Sequence, residues 1–110
     1  MPGAEPQQFR TQEFHDWLRK LKDRHARLRI LQRVDRLAHG NSGDVAPVGG
    51  GVSELRMHFG PGYRVYFLQE RDVLIVLLAG GDKSTQQMDI ARAQQLANEW
   101  REEQKSHGDQ

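Results

Sequence analysis

The spacing of apolar residues changes along this chain from a helical period to a strand period, and this change limits the folds open to it. Between residues 11 and 38, apolar side chains recur every three or four positions, as on one face of an α-helix. Between residues 55 and 67 they alternate with polar residues, as in a strand with one buried face. Helices followed by consecutive strands are typical of an α+β domain and not of a doubly wound parallel sheet.

Two helices are predicted in the first part of the chain. Thr11 is a candidate N-cap for the first and Asp23 for the second, while Gly40 suits the left-handed position that ends a helix. The joint between them is short, which favours an antiparallel helical hairpin. The two apolar faces are Phe14, Trp17, Leu18 and Leu21 in the first helix and Ala26, Ile30, Val34 and Leu37 in the second.

The strands are predicted after a glycine-rich loop over residues 40–51. A β-hairpin turns at Gly60-Pro61-Gly62, and the apolar run 73–79 fits a central strand covered on both faces. A further short strand near residues 8–10 is left open. The last helix starts near Ser84 or Thr85, and its inner face is Ile90, Ala93, Leu96, Ala97 and Trp100.

The expected architecture is therefore α+β, with an N-terminal helical hairpin packed on a small antiparallel meander sheet and a C-terminal helix. A chain of 110 residues fits a single domain, here 1–110, and we expect about 1–9 and 102–110 to be loosely ordered. It has no cysteine, so disulfides and thiolate chemistry are excluded. No apolar run approaches the roughly 20 residues of a membrane helix, and no secretory signal is recognisable, so we expect a cytoplasmic protein without membrane association.

A small net charge of +1 conceals a basic segment. Residues 10–36 contain nine Lys and Arg against four Asp and Glu. Arginines of the second helix can contact a nucleic acid backbone, dock an acidic partner or form a solvated face. The sequence leaves these three interpretations open.

Cationic and titratable side chains share the polar face of the predicted hairpin. Glu54, Arg56 and His58 lie on one strand, with Arg64 and Tyr66 on its neighbour. Arginine binds phosphate with two parallel hydrogen bonds, and histidine exchanges a proton near neutral pH, so this face suits a phosphodiester. The alternative is an ordinary polar sheet face with a cross-strand ion pair between Glu54 and Arg64.

The segment Gly80-Gly81-Asp82-Lys83-Ser84 joins the apolar strand to the last helix. It lacks the spacing of a nucleotide-binding P-loop, because Gly81 is followed by aspartate. A phosphate site at a helix start and a simple capped turn both remain open. The five histidines, His15, His25, His39, His58 and His107, show no metal-binding spacing.

Three stretches together carry a family resemblance over about residues 8–100. They are the block 49–67 with its Gly60-Pro61-Gly62-Tyr63-Arg64 centre, the block 77–86 followed by Asp89-Ile90 and Ala93, and the earlier positions Phe14, Trp17-Leu18, 21–23 and 40–44. With these the sequence resembles the RelE/ParE superfamily of type II toxins, and within it the HigB-like addiction module killer proteins.

The resemblance implies a RelE-like fold and cleavage of mRNA in the ribosomal A site, without a metal or other cofactor. It also implies a cognate helix-turn-helix antitoxin that neutralises the toxin and with it binds operator DNA. Carried over by position, Arg56 and Arg64 would clamp the phosphate, His58 would transfer a proton, Lys83 would supply a cation or acid, and Asp82 would orient Lys83 or His58. As RNA contacts we expect Lys20, Lys22, Arg27, Arg33 and Tyr66.

The chain departs from RelE in having no tyrosine between residues 67 and 110, and it does not match both lysines of the first hairpin strand. The identity of the general base is therefore open. Two alternative functions are a ParE-like inhibitor of DNA gyrase without enzymatic activity, and a degenerate toxin acting mainly as a DNA-binding corepressor with its antitoxin.

Overall fold

A five-stranded mixed sheet lies between two helices on one face and a long helix on the other, in a computed structural model that describes residues 7–41, 43–70 and 74–108. The strand order is β1-β5-β4-β3-β2. The strands are β1 (Gln7–Arg10), β2 (Val45–Gly49), β3 (Val52–Arg56), β4 (Arg64–Glu70) and β5 (Leu74–Gly81). The helices are α1 (Gln12–Lys20), α2 (Arg24–Ala38) and α3 (Gln86–Gly108), the last preceded by a 3-10 helix over Lys83–Thr85.

The two N-terminal helices begin where their capping residues predict. The Thr11 hydroxyl accepts a hydrogen bond from the Phe14 amide, and the Asp23 carboxylate accepts from the amides of His25 and Ala26. Thr11 also donates to the carbonyl of Leu78 in β5 at 2.7 Å, which ties the start of α1 to the central strand. The predicted apolar faces of both helices enter one core layer, with Phe14, Leu18, Ile30, Val34 and Leu37 buried.

The sheet is not the antiparallel meander that we predicted. Strand β1 pairs in parallel with β5. Strand β2, which pairs with β3, lies inside the segment 40–51 that we expected to be a loop. Both are short edge strands of the sheet, and β2 contains Pro47, a residue that sheets tolerate at their edges. The remaining pairs, β3 with β4 and β4 with β5, are antiparallel as predicted.

The central strands are covered on both faces. Leu55, Val65 and Leu77 face α1 and α2, whereas Tyr66 and Val76 belong to the layer packed on α3. The prediction of a doubly covered strand is confirmed for β5, although Val73 lies outside the described residues. Part of the hairpin face that we expected to be open and polar is covered: Glu54, Arg64 and Tyr66 are buried, which corrects their placement. Arg56 keeps a partly exposed side chain and His58 an exposed one.

Helix α3 continues to Gly108, beyond the point where we expected the polar tail to fray. Several side-chain hydrogen bonds attach it to the rest of the chain, three of them along its middle part. Arg92 donates to the Glu13 carboxylate at 2.7 and 2.9 Å, Gln94 to the carbonyl of Val48 at 3.0 Å, and Trp100 to Glu70 at 3.0 Å. Among the described residues, no helix has the length and apolar character that crossing a membrane requires.

Gly80 in β5 provides a test of how α1 packs on the sheet. A methyl group at this position would overlap the indole ring of Trp17. We therefore expect Gly80→Ala to lower the free energy of unfolding by about 1–3 kcal/mol, measured by urea denaturation. In a Trp17→Leu background the same substitution should lower the free energy of unfolding by clearly less, because the indole ring is absent. Equal losses in the two backgrounds would contradict this account.

Candidate active site

A mainly basic groove of about 280 Å³ lies between α2 and the end of β3. Arg29, Arg33 and Arg36 project from one stripe of α2, since residues three and four apart share a helix face. Arg56 and His58 line the opposite wall. We call this the cationic groove. It joins arginines of the basic helix to two residues predicted from the hairpin.

Two of the helix arginines lie against neighbouring groups. The guanidinium of Arg29 lies 3.8 Å from the centre of the Phe59 ring, a distance at which the ring attracts a cation. The guanidinium of Arg33 lies against Gly43 and would have to move if this position had a side chain. The φ of +64° at Gly43 is the constraint that favours glycine there.

Asp44 is the acidic residue among the described lining of the cationic groove, and it binds both Arg56 and His58. His58 Nε2 lies 2.6 Å from Asp44 Oδ2, and Arg56 Nη2 donates to Oδ1 at 3.0 Å. The hydrogen bond with His58, helped by the charge of Arg56, lowers the pKa of Asp44 from its usual value. An ionised Asp44 fixes the imidazole through Nε2 and leaves Nδ1 for proton exchange with a ligand.

Beneath α3, a second group of polar side chains lies next to this groove. We call Glu54, Arg64, Tyr66 and Gln86 the buried polar cluster. Glu54 has 2% of its surface exposed and accepts a hydrogen bond from Gln86 Nε2 at 2.8 Å. The Nε atoms of Arg56 and Arg64 each lie 3.9 Å from a Glu54 oxygen. Arg56 therefore connects the buried polar cluster to the cationic groove.

Unpaired polar atoms concentrate around Glu54. Among the described residues, four buried side-chain polar atoms have no hydrogen-bond partner: Gln8 Oε1, Arg56 Nε, Arg64 Nε and Tyr66 Oη. Three of the four belong to partners of Glu54: Arg56 and Arg64 form ion pairs with it, and Tyr66 lies opposite it in the neighbouring strand. The two Nε atoms are compensated by the charge of Glu54 and not by a hydrogen bond. Buried polar atoms without a hydrogen bond are rare in folded proteins, so a concentration of them marks a candidate functional site.

Tyr66 is wholly buried in this cluster, so the expectation that it contacts RNA from an open face is corrected. It lies directly opposite Glu54 in the pairing of β3 with β4, on the side that α3 covers. Burial, reinforced by the charge of Glu54, raises the pKa of Tyr66 above its usual value. Its phenol therefore stays protonated at neutral pH.

Arg64 and Lys83 both lie beside Gly62. Arg64 is 8% exposed, and its Nη1 lies 3.3 Å from the carbonyl oxygens of Gly62 and Tyr63. A side-chain carbon at Gly62 would lie 3.3 Å from Lys83 Cβ and 3.7 Å from Arg64 Nη1. Because Arg64 pairs with Arg56 across the strands, the two predicted phosphate clamps are neighbours, one buried and one half-buried.

Asp82 has a local role in the structure. Its carboxylate caps the 3-10 helix, accepting from the Ser84 amide at 2.8 Å and the Ser84 hydroxyl at 2.5 Å. Of the two interpretations of residues 80–84, the geometry is that of a capped strand-to-helix turn. The carboxylate bound to His58 is Asp44, which corrects the expectation that Asp82 orients this histidine.

The other expected RNA contacts are dispersed. Arg33 lines the cationic groove, whereas Arg27 lines a different groove on another side of α2. Lys20 and Lys22 are exposed at the end of α1 and just after it, and neither is among the described lining residues of the cationic groove.

Asp44 is the site residue that the sequence analysis missed. It lies directly before β2 and opposite Arg56, whose amide donates to the Asp44 carbonyl at 2.8 Å. The available signal was an acidic residue inside the glycine-rich segment, 12 positions before the first arginine of the hairpin. Because we did not predict β2, this spacing did not indicate that Asp44 contacts Arg56.

A family of phage-derived, Gp49-like proteins (DUF891) matches residues 16–100. The chain belongs to this family. The Gp49-like family is of the RelE toxin type. An uncharacterized protein of Haemophilus influenzae is 49% identical over 89 residues, which cover 81% of this chain and 90% of that protein. No solved structure matches significantly.

The matched span of this Gp49-like protein includes the whole cationic groove and the buried polar cluster. The family assignment therefore applies to the residues that form the candidate site and not merely to the scaffold. The HigB-like subgroup and the RelE-like fold remain predictions.

Glu54 provides a test of the buried polar cluster. Its charge lies between two guanidinium groups, and without it those groups lose their nearest carboxylate in the protein interior. We expect Glu54→Gln to lower the free energy of unfolding by about 2–4 kcal/mol in urea denaturation at neutral pH. Glu103→Gln, at an exposed position of α3, should change it by less than about 0.5 kcal/mol. Similar values for the two variants would argue against a compensating role for Glu54.

Proposed function

We propose that this protein is the toxin of a type II toxin–antitoxin system and a ribosome-dependent mRNA endonuclease. The observation that carries the proposal is the contact of Asp44 with both His58 and Arg56 at one end of the cationic groove. It combines a proton-transfer group, a phosphate-binding group and a carboxylate that orients both. Membership of a family of the RelE toxin type supports the same function.

The reaction would be an attack of an RNA 2′-hydroxyl on the adjacent phosphorus. The 2′-oxygen loses its proton, the bond from phosphorus to the 5′-oxygen breaks, and the products are a 2′,3′-cyclic phosphate and a 5′-hydroxyl. In this proposal His58 accepts the first proton through Nδ1. Lys83, which is exposed near Arg64, is the candidate donor for the leaving oxygen. Arg56 would bind the phosphate oxygens, where charge increases in the transition state.

The α2 arginines would hold the message in place. Arg29, Arg33 and Arg36 line the groove beyond His58, and guanidinium groups neutralise successive phosphates of a nucleic acid strand. The same surface is suited to ribosomal RNA, whose backbone presents the same charge. We further propose that the protein acts in the cytoplasm, where a helix-turn-helix antitoxin binds it and the complex occupies operator DNA.

The test is mRNA 5′-end mapping after a short pulse of expression. We expect the wild-type protein to produce in-frame cleavages that disappear from a reporter whose start codon is mutated. His58→Gln should reduce cleavage by about 10²–10⁴-fold, the usual contribution of a positioned acid–base group. His25→Gln, at an exposed position near the start of α2, is the matched control and should cleave like the wild type.

Two other outcomes would support the alternative functions. Intact messages in cells that stop growing would contradict the nuclease and favour an inhibitor of DNA gyrase. Intact messages in cells that keep growing would favour a corepressor. Equal cleavage by the wild type and His58→Gln would retain the nuclease but remove His58 from its mechanism.

The role of the helix arginines is testable by the salt dependence of binding to a single-stranded RNA oligonucleotide. Each phosphate contact that is lost should reduce the slope of log K against log salt concentration by about 0.7. We expect this change for Arg33→Gln and none for Lys105→Gln, which removes a charge from the exposed end of α3. An unchanged slope for Arg33→Gln would place the RNA elsewhere on the surface.

A further inference from the structure

A second groove, of about 410 Å³, lies on another side of α2 from the cationic groove. Its apolar surface comes from Leu18 of α1 and from Leu28 and Leu31 of α2. Leu28 is 59% exposed, which makes it one of three large apolar side chains that are exposed in the described part of the chain. We call this the leucine groove. Leu18 belongs to the core and Leu31 packs against it, whereas Leu28 lies outside the core and is the leucine most available to a partner.

Basic side chains surround the leucines. The polar residues that line the leucine groove are Arg10, His15, Arg19, Arg24 and Arg27, and no carboxylate is among the described lining residues. Its charge is therefore strongly positive although the whole chain is nearly neutral. Like charges this close repel one another, and an acidic partner relieves that repulsion.

The spacing on α2 keeps the two grooves apart. Residues 24, 27, 28 and 31 form the stripe that faces the leucine groove, and residues 29, 32, 33 and 36 form the stripe that faces the cationic groove. Consecutive residues on a helix lie about 100° apart, so neighbours such as Leu28 and Arg29 point in different directions. A molecule bound in the leucine groove can thus leave His58 open.

We propose that the leucine groove binds an acidic amphipathic helix of a partner protein. The apolar face of that helix would cover Leu28 and Leu31, and its flanking carboxylates would pair with the arginines of the rim. Helices commonly bind apolar grooves in this way, with anchors three and four residues apart. An apolar floor without Phe, Tyr or Trp among its described residues favours a protein over single-stranded RNA, which requires stacking rings and a polar track.

The test uses the full chain and a fluorescent synthetic peptide with leucines on one helical face and glutamates on both flanks. In fluorescence anisotropy at low ionic strength, we expect the peptide to bind the wild-type protein. Its affinity should decrease as salt is added. Leu28→Asp should weaken binding by about tenfold or more, because it places a carboxylate on the apolar floor. Met88→Asp is the matched control, since Met88 is 76% exposed on α3. The affinity of this variant for the peptide should be within about twofold of the wild-type affinity.

Four results would overturn the proposal. The first is no binding of the glutamate peptide, and the second is equal binding of a peptide with lysines in place of the glutamates. The third is displacement of the glutamate peptide by an RNA oligonucleotide whose own binding Leu28→Asp weakens, which would assign the groove to nucleic acid. The fourth is a dimer in light scattering that Leu28→Asp dissociates, which would make a second copy the occupant. None of these measurements depends on RNA cleavage, so the proposal stands or fails separately from the proposed function.

Discussion

The buried carboxylate of Glu54 is the constraint on which the site depends. It lies in the central part of the sheet, under α3, with two arginines at 3.9 Å and a hydrogen bond from Gln86. An ionised group this deep requires opposite charge nearby, and the antiparallel register of β3 and β4 provides it by placing Arg56 and Arg64 opposite each other. Because Arg56 also reaches Asp44, the charge balance of the interior and the geometry of the exposed groove are coupled through one side chain.

Helix α2 demonstrates how a highly charged segment can have several structural roles at once. Its stripe of Ile30, Val34 and Leu37 is buried in the core, while the two stripes beside it line separate grooves. An acidic partner and a nucleic acid backbone were alternative interpretations of the same arginines in the sequence. The structure divides those arginines between two surfaces, with Arg27 lining one groove and Arg33 the other, so our two proposals concern different residues.

Local signals predicted the elements that have clear periodicity or caps, and the errors arose where contact depends on tertiary structure. Thr11 and Asp23 identified the helix starts, and strict alternation identified β3 and β4. Strand β1 has four residues and a single apolar one, Phe9, too few for a periodic signal. The period of 2 placed Glu54 and Tyr66 on one face correctly, but it does not determine that α3 covers that face. Asp44 was missed because its partner Arg56 is adjacent only through β2.

The arrangement of Asp44 has a consequence for how a phosphate would enter the groove. Its two oxygens already hold His58 and Arg56, so an incoming phosphate meets the donors and acceptors of these residues that Asp44 leaves unused. Arg56 has further donors on its planar guanidinium and can bind a phosphate without releasing Asp44. His58 likewise keeps its Nε2 contact while Nδ1 faces a ligand. The carboxylate therefore fixes the positions of both groups before a ligand arrives, and binding does not have to order them, which reduces its entropic cost.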